Sequence, residues 1–420
     1  MAARVVIVGA GFAGLNCAKR LANVDGIDVT LVDRENHHVF QPLLYQVATA
    51  ALSPAEIAAP IRGILSSARN VRVLMAEAER VELAMRILHT SAGPLAFDYL
   101  VLAGGATHAF FGRNDWEPNA PGLKTLSQAT EIRGRILRAF EFAESASDPT
   151  VQRQLLTFVV VGGGPTGVEL AGALGEMSRY TLARDFRRID PRLARVVLVE
   201  AGPRILPAFS AASAARAVRD LEALGVQVWT NSPVTAIEAD SVAIGEERLK
   251  AGTVLWAAGV RAAPIAVTLG LELDRAGRVP VTAELVLPTD NRIYVLGDMA
   301  RTVPAGSDAP LPGTADVAMQ QGLYAGRAIV GDTRGEPRSP FRLRDWGHFA
   351  TVGRGRALFE RGRFRLTRYP AWWFWLLLHI YRLTGFRSRA LVLIQWAWSY
   401  FTYGRGARLI VRREWRQFPD

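Results

Sequence analysis

An α/β architecture with two nucleotide-binding sheets and an amphipathic helical tail follows from three features of the 420-residue sequence. A short apolar strand runs into a glycine-rich turn and a helix within residues 4–22. The same pattern returns within residues 155–177, and tryptophan and arginine crowd the C-terminal region. A chain of this length exceeds what one hydrophobic core organises, so two or three domains are expected. Half of the residues are hydrophobic and 21% are charged, which supplies the apolar surface those cores need.

The first pattern is a strand, Arg4 to Val8, followed by Gly9-Ala10-Gly11-Phe12-Ala13-Gly14 and a helix from Leu15 to Ala22. Gly9 permits the tight turn, Gly11 lets backbone amides approach a pyrophosphate, and Gly14 lets the helix pack close to the strand. The positive end of the helix dipole faces the phosphates. A second strand ends at Asp33, which is placed to accept both hydroxyls of an adenosine ribose, with Arg34 beside it. Strand, glycine turn, helix, strand and terminal acid together make a Rossmann-like dinucleotide site, with Phe12 and Ala13 inside it.

The second pattern runs from a strand, Leu155 to Val161, into Gly162-Gly163-Gly164-Pro165-Thr166-Gly167 and a helix, Val168 to Met177. Its later strand, Val196 to Val199, ends at Glu200, with an insertion at residues 179–193 lengthening the interval. A carboxylate at the ribose repels the 2′-phosphate of NADP, so Glu200 argues for NADH; Arg204 nearby is the residue that would favour the phosphate.

Two dinucleotide sites in one chain are the plan of a two-dinucleotide-binding flavoprotein fold, with FAD held non-covalently in the first and NADH as substrate in the second. A strand from Asp98 into Ala103-Gly104 returns the chain toward the first sheet. Another, from Ile293, ends in Gly297-Asp298, where the acid is expected on the flavin ribityl chain or its phosphate. Residues 253–259 read as the strand leaving the NADH domain. The expected domains are therefore 1–110 and 273–340 for FAD, an inserted 111–272 for NADH, and a C-terminal membrane-binding region 341–420.

The net charge of +11 belongs to that last region. Residues 342–420 contain 16 arginines, no lysine and four acids. Two apolar runs, Ala371 to Tyr381 and Ala390 to Tyr403, are shorter than the roughly 20 residues that a helix needs to cross a bilayer. Tryptophans 372, 373, 375, 396 and 398 with flanking arginines fit helices lying in an anionic lipid surface, through residues 369–403. A hairpin buried against the enzyme or a dimer partner is the competing reading. Nucleic acid is not expected, because an uncharged apolar block does not make a basic groove.

Cys17 is the single cysteine, which excludes an intramolecular disulfide and a Cys-x-x-Cys redox pair. The six histidines show no metal-ligand spacing, so no metal is expected. The apolar run after Met1 is too short and too glycine-rich for a signal peptide, so the expected place is the cytoplasmic face of the cell inner membrane, held peripherally.

With both glycine motifs, the Gly297-Asp298 strand and no cysteine pair, the chain resembles the type II NADH:quinone oxidoreductases, single-subunit respiratory dehydrogenases that pump no protons. The resemblance spans essentially the full length. It is carried by residues 38–48 (HVFQPLLYQVA), 162–171 (GGGPTGVELA), 315–322 (ADVAMQQG), and 385–389 through 395–403 in the tail. It implies a hydride passing from NADH to FAD, two electrons passing on to a membrane quinone, and a homodimer. It also points to Glu169 near the nicotinamide, and to Ala315, Asp316, Gln320 and Gln321 at the flavin–quinone junction. The family often has glutamine after that alanine; here Asp316 stands there, and a carboxylate can orient the helix start or relay a proton. A different FAD-dependent NAD(P)H reductase, or a non-enzymatic NADH-sensing scaffold, remains open on the residues alone.

Overall fold

Each glycine motif sits at the reversal of a parallel sheet. In a computed structural model, which describes residues 2–383, 386–402, 404 and 406–410, two sheets share one strand order. The first runs Val71–Met75, Ile27–Asp33, Ala3–Val8, Tyr99–Leu102, Asp290–Val295, with Val286–Leu287 antiparallel at the edge. The second runs Val226–Trp229, Arg195–Val199, Thr157–Val161, Thr253–Trp256, all parallel. In both, the motif follows the strand from which the order reverses, the position at which open α/β sheets bind ligands.

These strands are buried on both faces, which is why they read as continuous Val/Ile/Leu runs rather than alternating ones. Val5 and Ile7 pack with Leu15, Ala18 and Leu21 of the helix Phe12–Leu21. Val6 and Val8 face the opposite way, with Leu88, Phe97 and Leu287. In the second sheet Val159, Val161, Val197 and Val199 pack with Trp116 and Trp256.

Both motif helices begin three residues earlier than the sequence reading placed them, at Phe12 and Pro165. The preceding Gly11 and Gly164 are extended and act as N-caps, so the helices start inside the motifs. Pro165 takes the first helical position, where its missing N–H costs nothing. Leu155, read as strand, ends a short helix, Pro149–Leu155. The second motif helix stops at Glu176 and widens into a π-helical turn, Met177–Thr181, which leads into the predicted insertion.

The chain divides into two units. One comprises residues up to Val39, Ala58–Ala109 and Val260–Trp346; the other comprises Phe40–Ile57, Phe110–Gly259 and the residues from Gly347 onward. This division falls at 259/260, whereas the boundary expected from the sequence lies near 272. Val260–Ala262 already pairs with Ala106–His108, and Ile265, Ala266 and Leu269 enter the core of the first unit. Two further differences are the excursion of Phe40–Ile57 and the membership of the C-terminal segment. Within the second unit the strand His348–Gly353 lies on the helix Pro165–Glu176, where a Cβ at Gly172 would stand 1.9 Å from the Val352 carbonyl oxygen. Only glycine permits that approach.

The C-terminal segment forms an antiparallel three-stranded sheet (His348–Gly353, Arg356–Arg361, Phe364–Thr367) and two helices, Arg368–Arg382 and Phe386–Thr402. Thr384, Gly385, Tyr403 and Arg405 of the predicted lipid-facing region and its surroundings, and residues 411–420, lie outside the described residues.

Candidate functional site

The two dinucleotide turns match bond for bond. Gly9 N–H donates to the Val32 carbonyl and Gly162 N–H to that of Val199, both at 2.7 Å. Asp33 accepts from Ala10 N–H at 2.6 Å and Glu35 N–H at 2.8 Å. Glu200 accepts from Gly163 N–H at 2.7 Å and Gly202 N–H at 2.6 Å. A Cβ at Gly14 would lie 1.8 Å from the Gly9 carbonyl oxygen, and one at Gly167 the same distance from that of Gly162. Gly9 and Gly162 both have positive φ, +93° and +109°. Burial raises the Asp33 pKa against the pull of its two backbone donors.

The helix N-termini say what these turns can hold. Thr125, Asp148, Ser210 and Thr314 each cap a helix with a side-chain oxygen. Gly11 and Gly164 supply none, so the first N–H groups of both motif helices lack the usual side-chain acceptor. A Cβ at Gly11 or Gly164 would meet nothing within 4 Å, so neither glycine is needed for internal packing. Space and donors at a helix N-terminus fit a pyrophosphate.

In the first unit Asp298 follows Gly297 (φ +65°) at the end of the strand Asp290–Val295. With Ala106, Gly297 and Gly313 it lines a recess at the surface of the first unit. A Cβ at Gly313 would come 2.8 Å from an Asp298 carboxylate oxygen and fill that cradle. Gln321, buried, accepts the Gly297 N–H at 2.6 Å and donates to the Thr302 hydroxyl at 3.1 Å, fixing the turn that presents Asp298. Gln320 instead donates to Asp316 at 3.0 Å and to the Arg344 carbonyl at 2.9 Å, and accepts the Arg344 N–H. It tethers the helix Ala315–Thr333 to the following chain. Ala103 ends the returning strand, and the Gly104 N–H lies 3.1 Å from the Met299 sulfur. Phe12 meets the buried His38 ring edge-on at 5.2 Å.

Glu169 lies on the second motif helix, in the second unit, and borders an open cleft with Tyr45, Gln46, Thr351, Trp375, Trp396 and Tyr400 among its walls. Desolvation pushes its carboxyl up to about 8, against weak donation from the Thr351 N–H and hydroxyl at 3.4 and 3.5 Å. Tyr45 OH lies 3.0 Å from the Thr351 hydroxyl and accepts from Gln46 Nε2 at 3.1 Å. Trp396 Nε1 donates to Gln46 Oε1 at 2.7 Å. Trp375 stacks on His379 at 4.3 Å, and burial lowers that imidazole to about 4, so it is neutral near pH 7. The sequence alone does not single out Tyr45 or Thr351 for this cleft and assigns Trp396 to the lipid surface instead; Tyr45 and Gln46 fall inside the HVFQPLLYQVA stretch, which is the available signal.

The outer faces of the two C-terminal helices carry exposed Trp373, Leu377, Tyr381, Ile394, Trp398 and Phe401. Among the described residues no helix is long and apolar enough to cross a membrane, and no group of three or more His, Cys, Asp or Glu could hold a metal ion.

Comparison with known proteins agrees with this geometry. Residues 3–322 match the family described as pyridine nucleotide-disulphide oxidoreductase. The chain is 39% identical to the type II NADH:quinone oxidoreductase Ndh of Mycobacterium tuberculosis, over 98% of this chain and 91% of that protein. It is 40% identical to NdhA of the same organism, over 97% and 89%. Among solved structures it superposes on Plasmodium falciparum NDH2 in complex with NADH with a TM-score of 0.87 at 19% identity, covering 98% of this chain and all of the other. The sulfide:quinone oxidoreductase of Aquifex aeolicus gives 0.74 at 22% identity, over 93% and 92%. At those identities the two structures establish the fold alone.

Proposed function

We propose, for a chain that belongs to the type II NADH:quinone oxidoreductase family, that FAD binds non-covalently at the first glycine motif, NADH at the second, and the quinone head in the cleft bordered by Glu169. The activity is that of a non-proton-pumping NADH:quinone oxidoreductase. FAD bound at the first motif would supply a ring able to accept a hydride and pass two electrons onward.

Each residue set has a definite task in that reading. The uncapped N-terminus at Phe12 holds the flavin pyrophosphate and Asp33 its adenosine ribose, with Gly9, Gly11, Ala13, Gly14 and Arg34 around them. Asp298, beside Ala103, Gly104, Gly297 and Gly313, takes the ribityl chain or its phosphate. Ala315 and Asp316 open a helix whose N-terminus offers positive dipole to a reduced, anionic flavin ring. The second motif, with Gly162, Gly164, Pro165, Thr166 and Gly167, holds the NADH pyrophosphate, and Glu200 its ribose.

The observation that carries the quinone assignment is Glu169. Of the two hydrogens a quinone gains on two-electron reduction, the hydride of NADH accounts for one, and one proton must be supplied besides. A carboxyl with a pKa near 8 is protonated at neutral pH and close enough to the operating pH to give that proton up. The aromatic walls suit a flat, apolar ring.

The exposed aromatic and aliphatic face of the last two helices is the lipid contact, on the cytoplasmic side of the membrane, with arginines on anionic headgroups. A homodimer is part of the same proposal. Stopped-flow mixing tests the core of it: NADH should bleach the bound flavin, and a quinone analogue should restore its absorbance. A flavin bleached by NADH that quinone leaves reduced would overturn the quinone assignment.

A further inference from the structure

The cleft is crossed by a line of hydrogen bonds whose direction chemistry fixes at its Trp396 end. An indole N–H only donates, so Trp396, at 2.7 Å from Gln46, must face the amide oxygen. That settles which way the Gln46 amide points, and its NH₂ group then donates to Tyr45 OH at 3.1 Å. The Tyr45 and Thr351 hydroxyls lie 3.0 Å apart and either can donate; with Tyr45 as the donor, the Thr351 hydrogen is left to face Glu169. Thr351, having accepted, donates to Glu169 Oε1, the oxygen that also faces the Thr351 N–H.

The geometry points to Trp396, Gln46, Tyr45 and Thr351 as positioning residues for quinone reduction: a one-way donor chain that ends on Oε1 of Glu169 and reserves Oε2 for the transferable proton.

This rests on the reading of Glu169 as proton donor and adds to it. Two donor hydrogens aimed at Oε1 make that oxygen the poorer place for a proton, because an O–H there would confront N–H and O–H groups rather than acceptors. The acid therefore carries its proton on one named oxygen. Donation to the ionised form also lowers the carboxyl pKa, so the chain opposes the desolvation that raises it. The first donor, Trp396, lies on the helix Phe386–Thr402, whose other face exposes Ile394 and Trp398. Seating of the tail and readiness of the acid are thereby linked through four side chains drawn from three separate parts of the sequence. The titratable and charged groups bordering the same cleft are Glu176 on the Glu169 helix, Tyr45, Arg354 after the strand His348–Gly353, and Tyr400.

The test is the pH profile of the quinone half-reaction in the full-length, flavin-loaded enzyme, compared at equal flavin content. Thr351→Val, Tyr45→Phe and Trp396→Phe are made singly, together with the Tyr45→Phe/Trp396→Phe pair. Losing a donor to the ionised carboxyl raises the apparent pKa of quinone reduction, by about half a unit to one unit for Thr351→Val and less for the more distant residues. Because the chain acts in series, Trp396→Phe should change nothing further once Tyr45 is phenylalanine. Additive shifts in the pair, or single variants with the wild-type profile, overturn the chain. Glu169→Gln separates the two levels. If its quinone half-reaction is wild type, the proton-donor reading itself fails; if it is slow while the four chain variants titrate as wild type, only the chain fails.

Discussion

Glu200 accepts the Gly163 N–H at 2.7 Å through one carboxylate oxygen and the Gly202 N–H at 2.6 Å through the other. Both donors are backbone, so the fold itself sets the position of the carboxylate at the end of the strand Arg195–Val199. Each oxygen keeps a further lone pair for a ribose hydroxyl. A 2′-phosphate brought to the same place meets a carboxylate that cannot turn away.

Glu200→Ala should therefore narrow the preference for NADH over NADPH by about tenfold or more, the equivalent of about 1.4 kcal/mol. The ratio of kcat/KM for the two nucleotides measures it. Arg204 donates to the Pro207 carbonyl at 2.9 Å and is exposed, so Glu200→Ala/Arg204→Ala should lose any residual gain in NADPH use. An unchanged ratio in Glu200→Ala would place the ribose elsewhere.

Gly14→Ala and Gly167→Ala insert the same methyl at 1.8 Å from a carbonyl oxygen, one in each dinucleotide turn. Their consequences should differ. Gly14→Ala purifies with little flavin, read from the absorbance per chain after desalting. Gly167→Ala keeps its flavin and raises the KM for NADH by about tenfold or more, given a strain of at least 1–2 kcal/mol. Identical behaviour of the two variants would contradict the separate assignment of the sites.

Glu169 imposes a pH-dependent cost on stability. Its carboxyl titrates near 4.5 in the unfolded chain and near 8 in the folded one. Below the lower value both states are protonated and there is no cost. As pH rises between the two, the unfolded state alone releases the proton, so stability falls; above the upper value the cost is complete. Glu169→Gln should raise the thermal midpoint by a few degrees at pH 8.5, about 1 °C per kcal/mol for a chain of this length, and hardly at all at pH 4.5. A midpoint difference independent of pH would mean that the carboxyl is not held protonated.

Trp373 and Leu377 are each more than half exposed on the helix Arg368–Arg382. Replacing both with glutamate should release the protein from vesicles containing anionic lipid. Burying one such side chain is worth about 1.5–3 kcal/mol, so binding should weaken more than tenfold in a flotation assay. Retained flotation would move the lipid contact to another surface.

The two glycine turns are legible in the sequence because their logic is local. Gly9, Gly14 and Asp33 act on backbone within one strand–helix–strand unit, and spacing alone reports them. The cleft around Glu169 was not legible in the same way. Tyr45 meets Thr351, and Gln46 meets Trp396, across most of the chain, and no periodicity announces such pairs. Trp375 and Trp396 illustrate the limit further. Both were read as lipid-facing by composition, yet they border the cleft, and their neighbours Trp373 and Trp398 are the exposed ones. Gln321, proposed at the quinone junction, holds the Gly297 turn instead of presenting a free amide, which only the buried geometry reveals.

The interleaving of the two units bears on how the protein is made. The strand Tyr99–Leu102 waits for Asp290–Val295 before its open edge is covered, and Tyr45 and Gln46 wait for Thr351 and Trp396. The first unit is complete only at residue 346 and the second only with the C-terminal segment, so the growing chain carries a bare sheet edge until Asp290–Val295 is made and an unfilled aromatic cleft until the last helix is. Gene fragments cut at 109/110 or 259/260 would inherit the same gaps. The enzyme is a poor candidate for exchange of its nucleotide-binding halves and a natural client for whatever shields unfinished chains.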